Sequence, residues 1–249
     1  MKSTTIVIGD SLACPRPWEG IGLRDTYAYQ LQELLGNEHY VINWSMGENS
    51  TQKATTEGFL RTYVRAAEAH YAIIQLGIVD CAPRLMSKFE RLVGGVAVRL
   101  PVCRDLFKRY TNLKARNRLY LTKLFPMTLV SKKVFREKYH LLISEILKWN
   151  KIKKVYLINI ASPGLALVTR SYGIGNNVDS YNEIINELHQ IFHDKTILID
   201  LNSQINVNQD WITSNDGHHI LMPAHDWLAN TIGNSMIAQH HLKNSTSAS

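Results

Sequence analysis

The stretch TTIVIGDSL, residues 4–12, opens the regular pattern of the chain and decides its fold. Its first half is a short β-branched run that stops at Gly9, which is typical of a buried strand followed by a turn. The turn carries Ser11, so the pattern predicts that a strand end presents a serine hydroxyl at the edge of a sheet.

A second stretch, SNDGHHI at residues 214–220, places Asp216 three residues before His219 on a predicted loop. A serine on a strand exit, with an Asp and a His from a distant loop, is the set of groups that acyl transfer through a covalent serine ester requires. Each motif alone is typical of an ordinary turn. Their occurrence at the two ends of one α/β-patterned chain favours catalysis, with Ser11 as nucleophile, His219 as base and Asp216 holding the imidazole.

The block GDSL at 9–12 and the block DGHH at 216–219, taken together, resemble the GDSL or SGNH hydrolase superfamily. The following segment LMPAHDWLA, residues 221–229, is similar to the proline-led helix that follows the histidine of that family. The resemblance implies a flavodoxin-like fold and a Ser-His-Asp triad. It also implies one of the family's activities: esterase, lipase, thioesterase or carbohydrate deacetylase.

The oxyanion donors of this family come from the serine's own N–H, a glycine after strand two and an asparagine after strand three. In NWSMGEN, residues 43–49, Gly47 matches the glycine. The third block is GIVD at 77–80, so Val79 stands where the family has asparagine. Three alternatives stay open: two backbone donors alone, replacement by Asn49 or an insertion side chain, or a catalytically degenerate site.

Four further residues complete the expected oxyanion and substrate-binding set. Asp10 adjoins the nucleophile, and Asp80 ends the third block. Arg16 and Arg84 lie on proline-containing loops that follow these two blocks. Arginine suits bidentate recognition of a carboxylate or phosphate, and a surface position on a polar turn is the alternative.

No metal or cofactor is expected from the histidine-rich loop. The spacing of Asp216 and His219 is too short for a metal pair on one regular helix, and no further carboxylate or cysteine completes a zinc set. His218 adjoins the predicted base, whereas His225 is expected to cap or pack at the start of the last helix.

Alternating strands and helices predict parallel βαβ units in a three-layer α/β/α sandwich with a five-stranded parallel sheet. We expect one domain over 1–240 and a disordered tail at 241–249. The predicted strands lie at 4–8, 40–44, 71–76, 155–160 and 196–199, and the predicted helices at 27–35, 51–69, 132–149, 179–192 and 223–237.

Residues 81–131 break this rhythm and predict a helical insertion after strand three. Between Arg84 and Lys154 there are 19 Lys and Arg against four Asp and Glu, a net of +15, whereas the 249-residue chain is +7. The remainder therefore carries −8. This basic segment favours an anionic substrate or surface, such as an acidic glycan, a lipid-linked intermediate or a membrane. Nucleic acid is not expected, because no nucleic-acid-binding motif is present.

The N-terminus lacks an apolar signal region, and no stretch of ~18 uninterrupted apolar residues predicts a membrane span. The odd cysteine count, with no metal-ligand spacing, predicts reduced thiols in a cytoplasmic protein. The basic segment allows a peripheral position at the inner membrane face. The leading interpretation is an esterase that removes an acyl group, most plausibly acetyl, from a carbohydrate. The alternatives are an acyltransferase onto a glycan hydroxyl and a non-catalytic module that binds glycans or anionic surfaces.

Overall fold

A computed structural model describes residues 2–246 of the chain, with the side chains of all but 88, 101, 102 and 240–246. Five parallel strands form one sheet in the order β2-β1-β3-β4-β5. The strands are β1 (Ser3–Gly9), β2 (His39–Asn43), β3 (Tyr71–Gln75), β4 (Lys154–Ile158) and β5 (Thr196–Ile199).

Helices cover both faces of this sheet. Consecutive residues of β1, Ile6, Val7 and Ile8, are all fully buried, as in parallel sheets covered on both sides. The helices are α1 (Tyr27–Leu35), α2 (Thr51–Ala54), α3 (Glu57–Phe59), α4 (Ile78–Cys81), α5 (Lys88–Ala97), α6 (Pro101–Arg116), α7 (Arg118–Leu124), α8 (Lys132–Trp149), α9 (Leu165–Val168), α10 (Ile174–Ile191), α11 (Leu201–Val207) and α12 (Met222–Thr246). Helix α1 packs on α12 and α8 packs on α10, which confirms the predicted three-layer sandwich.

The single helix predicted at 51–69 is instead broken into α2, α3 and a π-helical stretch at Leu60–Arg65. Thr56 makes the break, because its hydroxyl accepts a hydrogen bond from the backbone N–H of Phe59 and so caps α3. Helix α10 begins five residues before its predicted start, directly after Gly173, which adopts a left-handed conformation.

The helical insertion after β3 consists of α5, α6 and α7 in the part of the chain described. Gly94 and Gly95 both lie within α5, although glycine is a poor helix former. A Cβ atom on Gly94 would come within 2.1 Å of the Phe107 ring, so a larger residue would displace that ring where α5 and α6 touch. This close approach, which the sequence does not reveal, outweighs the low helix propensity of glycine.

Helix α12 continues to Thr246 and so extends into the tail predicted at 241–249. Neither glycine nor proline follows Gly233, so nothing in the sequence ends the helix earlier. The remaining three residues of the predicted tail lie outside the described residues. Among residues 2–246, no helix combines the length and the apolar character that a membrane crossing requires.

The strand order places a crevice beside the first strand. Because β1 lies between β2 and β3, the direction of winding reverses there, and ligands of such sheets bind beyond the carboxyl ends of the strands at this point. Gly9 pairs with Gln75 at the last register position of β1 and β3. The segments following both strands, including Ser11 and Val79, therefore meet at one edge.

Candidate active site

The loop after β1 that carries Ser11, the predicted nucleophile, is called the nucleophile loop, and Asp10 holds it at the end of the strand. The Asp10 carboxylate accepts a hydrogen bond of 3.0 Å from the backbone N–H of Leu12 and caps the short turn that carries Ser11. The backbone N–H of Asp10 itself donates to the carbonyl of Gln75 at the end of β3. A Cβ atom on Gly9 would lie 2.6 Å from Ser45 Oγ and 2.9 Å from Ala13 Cβ, so a side chain here would displace the residues packed against this strand end.

The three residues of the predicted triad are brought together. Ser11 Oγ lies 3.1 Å from His219 Nε2, and His219 Nδ1 lies 2.6 Å from Asp216 Oδ2. The backbone N–H groups of His218 and His219 donate to Asp216 Oδ1, at 2.9 and 3.1 Å. Burial alone would raise the pKa of Asp216. The hydrogen bonds from His218 and His219 outweigh that effect and hold its pKa below the ordinary range, so the group is a carboxylate.

A second carboxylate, which the sequence analysis missed, approaches the same imidazole nitrogen. Glu19 Oε1 lies 2.9 Å from His219 Nδ1, and Glu19 Oε2 accepts a hydrogen bond of 2.7 Å from Arg16 Nε. Glu19 is in a short turn between Pro17 and Gly20, where nothing in the local pattern distinguishes it from a surface residue. His219 Nδ1 therefore faces two carboxylates, Asp216 and Glu19.

Arg16 is buried behind the site, with 1% of its surface exposed. Its guanidinium donates to the backbone carbonyls of Ser11 at 2.7 Å and of Ile220 at 2.5 Å, and it also reaches the carbonyls of Leu12 and Cys14. These contacts join the nucleophile loop to the histidine loop. They occupy the donors that the sequence analysis assigned to an anionic substrate, so Arg16 acts as a structural tie.

The histidine loop is fixed by a glycine. Gly217 has a positive φ of 72°, and its carbonyl accepts a hydrogen bond of 2.8 Å from the backbone N–H of Gly164. A Cβ atom at 217 would come within 2.5 Å of the Leu167 nitrogen in α9, so any side chain would displace the loop. This contact holds Asp216 and His219 in register with Ser11.

A cleft of about 260 Å³ opens in front of the nucleophile. Its walls combine apolar residues from the α4 region with three arginines, and only one of these arginines, Arg84, was expected. The cleft is lined by Ser11, Glu48, Ile78, Val79, Ala82, Arg84, Arg118, Leu167, Arg170 and His218. Val79 and Ser11 therefore line the same cleft.

Gly47 lies between two residues that touch the nucleophile region. The backbone N–H of Met46 donates to the Gly9 carbonyl at 3.3 Å, and Glu48 lines the cleft. Asn49, by contrast, is fully buried, and its amide donates to the Gly9 carbonyl at 3.0 Å. Its observed role is to support the nucleophile strand from within, where it does not line the cleft.

The two expected aspartates also lie in the interior. Asp80 is fully buried and accepts hydrogen bonds from both the backbone N–H and the hydroxyl of Thr51, which tie α4 to α2. Burial raises the pKa of Asp80 to about 6, although the hydrogen bonds from Thr51 oppose this. Burial raises the pKa of Asp10 to about 7. Both groups hold loops that carry site residues, and neither lines the cleft.

The remaining histidines separate by position. His218 lines the cleft, and its Nδ1 lies 3.2 Å from Asp216 Oδ1. His225 is fully buried in α12, where its Nδ1 accepts a hydrogen bond of 3.2 Å from the backbone N–H of Tyr27 and caps α1, as expected. Asp216, His218 and His219 present three potential ligand atoms within 4.8 Å of one another. A cation bound there would compete for the His219 nitrogen that Asp216 and Glu19 already engage.

Comparison with solved structures gives matches over nearly the whole chain. A lipase/acylhydrolase from Enterococcus faecalis matches with a TM-score of 0.65 and 14% identity, over 95% of this chain and 96% of that chain. An acetylxylan esterase from Geobacillus stearothermophilus matches with a TM-score of 0.59 and 14% identity, over 92% of each chain. An α/β hydrolase enzyme from the metagenome of Lake Arreo, Spain, matches with a TM-score of 0.60 and 14% identity, over 92% and 93%.

No protein-family model and no curated protein sequence matches the chain. At 14% identity the structural matches establish the fold, and they confirm the predicted resemblance at that level.

Proposed function

We propose that this protein is a serine carboxylic ester hydrolase that passes through an acyl-enzyme on Ser11. The observation that carries the proposal is the distance of 3.1 Å between Ser11 Oγ and His219 Nε2, at the mouth of a cleft and with a carboxylate on the far side of the imidazole. A serine hydroxyl is a weak nucleophile, and a base at this distance removes its proton as the bond to carbon forms.

The reaction follows from these positions. Ser11 Oγ attacks the ester carbonyl carbon, while its proton moves to His219 Nε2 and the negative charge develops on the carbonyl oxygen. When the tetrahedral intermediate collapses, the C–O bond to the alcohol breaks and His219 returns the proton to the leaving oxygen. Water then attacks the acyl-enzyme by the same route, giving the carboxylic acid and free Ser11. Asp216 and Glu19 stabilise the imidazolium that forms twice in this cycle.

The oxyanion is stabilised in our proposal by the backbone N–H groups of Ser11 and Gly47. Val79 offers the cleft only methyl groups, so a third donor is missing from the position where the family has asparagine. Loss of one such donor typically costs ~3–4 kcal/mol of transition-state stabilisation. We therefore expect a slower hydrolase than a family member with all three donors.

The substrate we propose is an acetyl ester on a carbohydrate. A cleft of about 260 Å³ suits a short acyl group better than a long acyl chain. An acetylxylan esterase is among the proteins of similar fold, which supports the same substrate class here. Transfer of the acyl group to a sugar hydroxyl would use the same residues, with the hydroxyl replacing water in the second step.

Hydrolysis of p-nitrophenyl acetate tests the reaction class. The native protein should release p-nitrophenol, and Ser11→Ala should lower the rate by several orders of magnitude with the melting temperature little changed. Ser180→Ala, which alters a half-buried serine on α10, is the matched control and should keep the native rate. A folded native protein with no activity on any acetyl ester would instead favour the glycan-binding module.

We also propose that the helical insertion associates with an anionic membrane surface. More than half of the large apolar side chains that are exposed in the described structure lie between Phe89 and Phe125. Phe89 is 72% exposed, Leu106 70% and Tyr120 64%, and basic residues stand among them. Apolar and basic side chains on one helical surface are the combination that peripheral membrane segments use. The three cysteines are free thiols, which suits a cytoplasmic location.

A further inference from the structure

Three arginines, Arg84, Arg118 and Arg170, line the cleft that contains Ser11. They come from separate parts of the chain: a loop after β3, the start of α7 and the loop between α9 and α10. In the described structure none of the three forms an ion pair within 4.0 Å of a carboxylate oxygen. Glu48, the acidic side chain that lines the same cleft, is therefore not their partner at that distance.

Each guanidinium is held in place by neutral oxygen acceptors. Arg84 Nη2 donates to the Val79 carbonyl at 2.5 Å, and Arg170 Nη2 donates to the Asp216 carbonyl at 2.7 Å. Arg118 donates to the Ser171 hydroxyl at 2.6 Å and to the Pro83 carbonyl at 3.0 Å. A guanidinium carries five N–H donors, so these contacts fix its position and leave donors unused. Arg84 Nε is one of them, since it is buried with no hydrogen-bond partner among the described residues.

Other arginines of the protein are arranged differently. Arg16 pairs with Glu19, and Arg65 pairs with both Glu57 and Glu145, as arginines with a structural role commonly do. The three cleft arginines instead lie close enough that the positive charges of Arg84 and Arg170 disfavour the charged form of Arg118. Burial is the largest effect and lowers the pKa of Arg118, and the charges of Arg170 and Arg84 lower it further. Positive charges gathered without an acidic partner are costly unless an anion joins them.

We propose that Arg84, Arg118 and Arg170 form a subsite that binds an anionic group of the ester substrate, a carboxylate or a phosphate. The inference rests on the proposed hydrolase function and adds the substrate class to it: an acyl ester on an acidic sugar unit. Because the arginines and Ser11 share one cleft of about 260 Å³, the ester and the anionic group belong to the same sugar or to adjoining ones. Arginine forks match the planar carboxylate and the phosphate oxygens with paired hydrogen bonds.

Binding measured without turnover tests the subsite directly. Calorimetry should detect binding of glucuronate and of inorganic phosphate to the Ser11→Ala protein. Glucose, the uncharged control, should give no binding signal. When Arg170→Gln is added to Ser11→Ala, the affinity for either anion should fall at least about tenfold, because one charge-assisted hydrogen bond is lost. Arg170→Lys should recover part of the affinity. Arg99→Gln, an exposed arginine of the insertion, removes the same charge and should change nothing.

Kinetics with paired substrates gives a second measurement. We expect the ratio of kcat/KM for an acetyl ester of glucuronic acid over that of the matching glucose ester to exceed ten. Arg170→Gln should lower this ratio at least about tenfold, and Arg99→Gln should leave it unchanged. A phosphorylated sugar acetate, compared in the same way, distinguishes carboxylate from phosphate.

Failure of the subsite proposal can be distinguished from failure of the hydrolase proposal. If the native protein hydrolyses the glucose ester but shows no preference for either anionic ester, the subsite proposal is wrong and the hydrolase proposal stands. If no ester is hydrolysed, the calorimetric result still decides whether the subsite exists. Equal anion affinity of the Ser11→Ala protein with and without Arg170→Gln overturns the subsite in either case.

Discussion

Glu19 Oε1 and Asp216 Oδ2 both lie within hydrogen-bond distance of His219 Nδ1, at 2.9 and 2.6 Å. An imidazole nitrogen can carry only one proton, so the two carboxylates compete for one donor. Arg16 Nε contacts the other oxygen of Glu19 at 2.7 Å, which compensates part of the second negative charge. His219, the proposed base, therefore contacts a pair of carboxylates, of which only Asp216 belongs to the Asp-x-x-His motif.

The shared donor predicts that the two carboxylates replace each other in part. Asp216→Asn should lower kcat/KM on p-nitrophenyl acetate by less than ~10⁴, the loss seen when a serine protease has no other carboxylate to orient its histidine. Glu19→Gln alone should cost less than Asp216→Asn. The double variant should lose more than the product of the two single losses, because each single variant retains one acceptor.

A double-mutant cycle in free energy checks this coupling, and Glu33→Gln on the exposed face of α1 is the control for removing a negative charge. Strictly additive losses would show that Glu19 does not act on His219 in the working enzyme.

Replacing Val79 by asparagine, a residue of similar size, should increase activity. Because Val79 lines the cleft and is only half-buried, an amide at this position has room to face the oxyanion. Val79→Asn should raise kcat, by no more than the ~10²–10³ that a full oxyanion donor supplies. Turnover and melting temperature measured on one preparation check the prediction. A large loss of activity in a protein of native stability would count against the oxyanion assignment.

Asp10 predicts a pH-dependent stability. Its folded pKa is about 7, against 3.8 for the free side chain, because burial disfavours the charged form. Between these two pH values the Asp10 carboxyl is ionised in the unfolded chain but keeps its proton in the folded protein. The contribution of Asp10 to stability is thus complete below about pH 4 and is lost as the pH rises through 7, with a slope of at most ~1.4 kcal/mol per pH unit.

Asp10→Asn removes this titration. The free energy of unfolding of the variant, relative to that of the native protein, should therefore increase as the pH rises from about 4 to about 8. Urea denaturation at several pH values measures the difference, and Asp105→Asn, on the exposed insertion, should show no such trend. A constant difference between Asp10→Asn and native protein would mean that Asp10 is ionised throughout.

The helical insertion predicts salt-sensitive attachment to anionic vesicles. Its charges attract a surface over about a Debye length, ~10 Å in 0.1 M salt. Co-sedimentation with phosphatidylserine vesicles should therefore fall steeply as salt rises, and replacing exposed Lys108, Arg109 and Arg116 with Ser should remove that dependence. Leu106→Ser should weaken binding at every salt concentration, since it removes apolar contact. Hydrolysis of p-nitrophenyl acetate should respond little to salt.

Removing three exposed charges elsewhere, with Arg24, Lys53 and Lys195 replaced by Ser, is the matched control. If this variant loses vesicle binding as much as the insertion variant does, net charge alone explains the attachment.

The sequence was sufficient for the sheet, and the three residues of the predicted triad lie together in the structure, although their roles stay a prediction. Short β-branched runs such as residues 4–8 mark buried strands through local composition, and Ser11 follows directly from the end of such a run. The positions of Glu19, Arg118 and Arg170 were not predictable in this way. Each reaches the site through packing between distant segments; Glu19 and His219 are 200 positions apart. The sequence placed Arg16 in the cleft, whereas the structure buries it. This burial depends on a hydrogen bond to the Ile220 carbonyl, which no local pattern reveals.

The central claim, an activated serine at position 11, is tested most directly by covalent labelling. A fluorophosphonate reacts preferentially with a serine hydroxyl that a neighbouring base activates, and the mass of the product identifies the residue. We predict one adduct per chain, located on Ser11 by peptide mass spectrometry, and none in His219→Ala. A folded native protein that remains unlabelled, or an adduct on another serine, would contradict the account.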